Sequence, residues 1–65
     1  MTFSQITTKT KLKNTNTNTF VTVISVNDYG FTAKETGNGR TVFKVQNIGK
    51  YSKYSVNSGS WELVN

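Results

Sequence analysis

An uninterrupted run rich in β-branched side chains, Phe20-Val21-Thr22-Val23-Ile24-Ser25-Val26, stops abruptly at Asn27-Asp28-Tyr29-Gly30. Branching at Cβ suits a pleated surface, and Asn, Asp and Gly tolerate the backbone angles of a tight turn, so this stretch reads as a strand entering a hairpin. The rest of the chain agrees with that reading. Val, Ile and Thr total 21 of 65 residues, against one Ala, two Leu and two Glu, so strong helix formers other than Lys are scarce. A chain of this length holds one small domain and a core of about fifteen side chains.

The expected fold class is therefore all-β: a small single-domain antiparallel barrel or strongly bent sheet of about five strands with a meander at its centre. Phe31 to Thr36 reads as the strand after the first turn, and Arg40 to Gln46 as the next, reached through Gly37-Asn38-Gly39. Parity selects the register, because a slip of one residue exchanges the two faces. A three-residue loop with Gly39 in the left-handed conformation pairs Ala33 with Phe43 and Phe31 with Val45. Closing the first hairpin at Asp28-Tyr29 pairs Val26 with Phe31 and Ile24 with Ala33. The expected core face is then Phe20, Ile24, Val26, Phe31, Ala33, Phe43 and Val45. The opposite face holds Val21, Val23, Ser25, Thr32, Lys34, Arg40, Val42 and Lys44.

Towards the carboxy terminus, Tyr51 to Val56 reads as a fourth strand or a short helical turn leading into one. Asn57-Ser58-Gly59-Ser60 reads as a turn, and Trp61 to Val64 as a closing strand whose aromatic plugs an open end. Towards the amino terminus, Ser4 to Lys13 alternates, with Ile6, Thr8, Thr10 and Leu12 on one face and Lys9, Lys11 and Lys13 on the other. Asn14 to Thr19 repeats Asn-Thr three times and reads as a flexible hairpin loop within the single domain 1–65.

Five short strands, tight Gly/Asn turns and the ending Gly59-Ser60-Trp61-Glu62-Leu63-Val64 resemble the small five-stranded barrels of the Src-homology-3, KOW and Tudor type, including small phage-encoded barrel proteins. The likeness spans roughly Phe20 to Val64. It implies a fold and a phage-like setting, and it carries over no functional residue. Residues with AT-rich codons (Phe, Tyr, Met, Ile, Asn, Lys) total 26 against seven for Gly, Ala, Arg and Pro, which fits an AT-rich genome.

Chemistry is limited by what is missing. With no Cys and no His there are no disulfides, zinc knuckles, thiol nucleophiles or imidazole bases, and no cofactor is expected. The carboxylates Asp28, Glu35 and Glu62 show no spacing suited to acid/base work, so the chain is expected not to be an enzyme. No apolar run spans a membrane, and Met1 leads into polar Thr2, Ser4 and Gln5, which points to a cytoplasmic protein away from membranes.

Charge is the informative feature. Eight basic against three acidic residues give a net charge of +5, the footprint of a partner that is nucleic acid or an acidic protein. The candidate nucleic-acid contacts are Lys9, Lys11, Lys13, Lys34, Arg40, Lys44, Lys50, Lys53 and Tyr51. Lys9, Lys11 and Lys13 on one strand would recur every ~6.7 Å and could track phosphates, or could equally keep an edge strand soluble. A single Arg argues against base-specific readout. The alternative is a protein-binding modulator that docks through Val21, Val23 and Val42 with the lysines as a rim. A small core and open strand edges also lead us to expect self-association.

Overall fold

The structure, a computed structural model, describes residues 1–64. A 3-10 turn at Phe3–Gln5 precedes β1 (Lys11–Asn14), β2 (Thr19–Asn27), β3 (Gly30–Gly37), β4 (Ile48–Ser52), α1 (Lys53–Asn57) and β5 (Trp61–Leu63). The strands form one antiparallel sheet in the order β4-β3-β2-β1-β5, so the first four strands meander and the last returns beside the first. The all-β expectation holds, as an open bent sheet of five strands. Its core is Ile6, Leu12, Val21, Val23, Phe31, Ala33, Val56 and Trp61, with Phe3 and Tyr51 packed against it. The 3-10 turn and α1 cover one face of the sheet, and the other face meets solvent.

The β2–β3 hairpin forms where its turn cluster placed it. Asn27 Oδ1 accepts the N–H groups of Tyr29 at 2.8 Å and Gly30 at 3.0 Å, and Val26 pairs with Phe31 as expected. Two pairs further along, the register departs from expectation. Ser25 pairs with Thr32 but Val23 with Ala33, so Ile24 is the extra residue of a β-bulge. The bulge reverses parity over the first half of β2. Val21 and Val23, expected on the solvent face, are buried, whereas Ile24 and Val26, expected in the core, are exposed.

The expected strand at Arg40 to Gln46 is absent. Asn38 Oδ1 accepts from Arg40 N at 3.1 Å and Thr41 N at 2.9 Å, and Gly39 sits at φ +86°, which makes a four-residue turn closed by the bridge Gly37–Val42. After Phe43 the chain leaves the sheet and re-enters at Ile48, so Ala33 faces Gly49 and Phe31 faces Tyr51, instead of Phe43 and Val45. Val45 is exposed, and Phe20 and Phe43 are half-buried. The physical reason is aromatic packing. The observed register stacks Tyr51 on Phe31 at 5.3 Å between centroids and sets both rings edge-on to Trp61, at 4.9 and 5.5 Å respectively. Burying three rings together outweighs pairing β3 with the segment that carries Val42 and Val45.

The amino-terminal strand is shorter than its alternation suggested. Thr7 N donates to Thr10 Oγ1 at 3.0 Å, and Thr10 N to Thr7 O at 3.1 Å, so threonines bond locally and turn the chain. Lys9 lies in that turn at φ +76°. Ile6 and Leu12 are both buried as expected, the first from the turn and the second from β1. Asn14 and Thr19 already pair, leaving Thr15 to Asn18 as the hairpin loop. The two options for Tyr51 to Val56 are both realised in part, since Tyr51 belongs to β4 and the helical turn α1 follows.

Candidate functional site

Pairing across the sheet decides which basic residues meet. Lys11 is paired with Thr22, Thr22 with Lys34, and Lys34 with Ile48, which gives one continuous row on the face opposite Ala33 and Leu12. Thr32 pairs with Lys50 on the same face, and Lys13 pairs with Phe20 and, on its other side, with Glu62. Alternation along the strands therefore puts Lys11, Lys13, Lys34 and Lys50 on one solvent-facing surface, interspersed with Thr22, Thr32 and Ser25. Glu62 is its one acidic side chain among the described residues. With strands ~4.8 Å apart, Lys34 lies about 10 Å from Lys11 and about 8 Å from Lys50, Cα to Cα.

The strands that carry them are packed against the core. Beneath the row lie Leu12, Val23 and Ala33, each at most 1% exposed. Lysine stems can lie along such a sheet while their ammonium groups stay in water, which leaves the charges free for a partner. Separations near 8–10 Å are comparable to the Debye length of ~8–10 Å at physiological salt, so the fields of these lysines overlap at the surface.

Other expected contacts lie elsewhere. Lys9 is in the Thr7–Thr10 turn and is not in line with Lys11 and Lys13, so three lysines do not follow one strand as expected. Arg40 lines a shallow groove with Phe20, Thr36, Gly37, Gly39, Thr41 and Val42. Lys44 projects from the segment between that turn and β4, not from a strand. The Tyr51 ring packs on Phe31 and Trp61, so it belongs to the core more than to a contact surface; burial, and secondarily the charge of Glu35, push its hydroxyl above the usual tyrosine range. Of the valine stripe, Val21 and Val23 are core residues and only Val42 is on the surface, so that stripe does not exist as a docking centre.

A second feature escaped the sequence reading in part. Where the β2–β3 turn meets β4 and α1, an open groove of about 520 Å³ is lined by Tyr29, Lys50, Lys53 and Tyr54 among others. Tyr54 directly follows Lys53, and an aromatic next to a base was the signal that could have found it. Tyr29 was absorbed into the turn cluster, although a tyrosine in a four-residue turn has few ways to be buried, and that was the available signal.

The three carboxylates do not converge: Asp28 is in the β2–β3 turn, Glu35 near Tyr51, and Glu62 on β5. Among the described residues no group of three or more His, Cys, Asp or Glu side chains could hold a metal ion, and no helix is long and apolar enough to cross a membrane. Comparison with protein-family profiles, with curated proteins and with solved structures finds no match to this chain.

Proposed function

We propose that this protein is a small basic non-enzymatic module that binds nucleic acid with little sequence specificity, acting in the cytoplasm as an accessory factor of a phage. The observation that carries the reading is the four-lysine surface of Lys11, Lys13, Lys34 and Lys50, assembled by register on one face of the sheet. A sheet studded with separated cations and hydroxyls suits a phosphate backbone, because each lysine neutralises one phosphate and releases its counterions. A single Arg leaves base-edge readout secondary. The protein-docking alternative loses its apolar centre with the burial of Val21 and Val23. β4 and β5 end the sheet and offer strand pairing between copies, the route by which the module would self-associate on a nucleic-acid lattice.

The test is a titration of labelled DNA and RNA oligonucleotides over a salt series, beside a pull-down with and without nuclease. Micromolar or tighter binding that weakens linearly in log salt is expected. Absence of binding at low salt, or nuclease-resistant capture of one defined acidic protein in its place, overturns the reading.

A further inference from the structure

The lysine surface explains attraction to phosphates but does not distinguish one strand from two. That distinction rests on the groove at the end of the sheet, and the inference drawn from it depends on the nucleic-acid reading above. Tyr29 is 82% exposed and Tyr54 71% exposed, although hydrophobic rings of this size are ordinarily packed. Both line the same groove. Tyr29 O accepts from the backbone N–H of Lys53, the residue before Tyr54, at 2.9 Å. Each is also anchored locally: Asn27 Oδ1 accepts from Tyr29 N at 2.8 Å, and Ser52 Oγ accepts from Tyr54 N at 3.1 Å.

Two rings presented on anchored backbone bind at little cost in ordering, since a tyrosine has only two side-chain torsions to restrict. Their surroundings are cationic. Lys53 Nζ lies 5.6 Å from the centroid of the Tyr54 ring, and Lys50 lines the groove and also belongs to the four-lysine face. The groove therefore opens directly onto the Lys50–Lys34–Lys11 path.

We propose that this groove is a base-stacking subsite for single-stranded nucleic acid. Unpaired bases stack on Tyr29 and Tyr54, Lys53 and Lys50 neutralise the adjoining phosphates, and the strand continues across the sheet past Lys34 to Lys11. A duplex keeps its bases inside the stack and would use the lysines alone. The path from Lys50 to Lys11 is about 18 Å, so together with the groove it fits the lower end of the 4–16 nucleotides that single-strand-binding folds occupy.

The test uses the full chain with three probes of matched length and charge, namely oligothymidylate or oligouridylate, an abasic oligonucleotide with the same phosphates, and poly-glutamate, beside a duplex of the same length. Tyr29→Leu and Tyr54→Leu are expected to weaken binding of the base-bearing oligonucleotides by roughly tenfold each with the salt slope unchanged, and Tyr29→Phe and Tyr54→Phe to restore it. The abasic probe should bind more weakly and ignore these substitutions, and a 2-aminopurine base in the oligonucleotide should lose fluorescence on binding. Circular dichroism checks that the variants fold. If the abasic probe or poly-glutamate binds as tightly as the base-bearing strand, or duplex and single strand bind alike, stacking is overturned while the lysine reading stands. If no oligonucleotide binds at all, both fall together.

Discussion

The ring of Tyr51 lies over Gly49, two residues earlier on the same strand, so closely that a Cβ at Gly49 would come 2.7 Å from the Tyr51 hydroxyl and 2.9 Å from Cζ. Tyr51 cannot move aside freely, because Phe31 and Trp61 hold its ring. Gly49→Ala should therefore force the ring out of the cluster and destabilise the domain by about 1–3 kcal/mol. Denaturant melts measure this. The cost should largely vanish in a Tyr51→Ala background, where nothing remains to clash.

Stability should fall at alkaline pH through the same tyrosine. Its hydroxyl titrates higher in the folded chain than in the unfolded one, chiefly through burial and also through Glu35. The unfolded chain then releases the proton first, at about pH 10, so the contribution is complete below that pH and is lost as pH rises through the folded value. Melts of the wild type and Tyr51→Phe between pH 8 and 11, values chosen to bracket about pH 10, should converge at the low end and diverge at the high end. Parallel curves would remove this linkage.

The valines give a sharp contrast between two expectations that the sequence placed together. Val23 is 1% exposed and Val42 79% exposed. Val23→Ser should cost about 2–4 kcal/mol, enough to unfold much of so small a domain, because it buries a hydroxyl and leaves a void. Val42→Ser should stay within about 0.5 kcal/mol. Thermal melting of the two variants separates them.

For the lysine surface, the substitutions Lys11→Gln, Lys34→Gln and Lys50→Gln combined should lower the slope of log affinity against log salt by about 2–3, at about 0.7 per contact on single strands and about 0.9 on duplex. Lys44→Gln, off the sheet, should change it little. An unchanged slope in the triple variant would move the contact surface away from this face. Lys9→Gly is a useful companion, since Lys9 holds φ +76° and glycine there should stabilise the fold by about 0.5–1 kcal/mol whatever the lysine contributes to binding.

The parts of this fold readable from the chain are those with local causes. The hairpin at Asn27 to Gly30 depends on one asparagine side chain bonding its own turn, and the burial of Ile6, Leu12 and Trp61 follows from apolar residues set among polar ones. Lys34 lies opposite the buried Ala33 by simple alternation, so it could be placed on the solvent face even with the wrong partner strand. What tertiary structure alone decided was register. Val23 and Ile24 are equally suited to a strand and to a core, with no glycine to mark the bulge, and only packing around Phe31 and Ala33 selects which one turns inward. Arg40 to Gln46 and Ile48 to Ser52 are likewise both plausible partners for β3, and the choice falls to the segment that brings Tyr51 against Phe31 and Trp61. Local sequence sets what a segment is able to form, whereas strand partners are chosen by the burial of side chains far apart in the chain, and so the lysines could be counted in advance but assembled into one surface only once the sheet was formed.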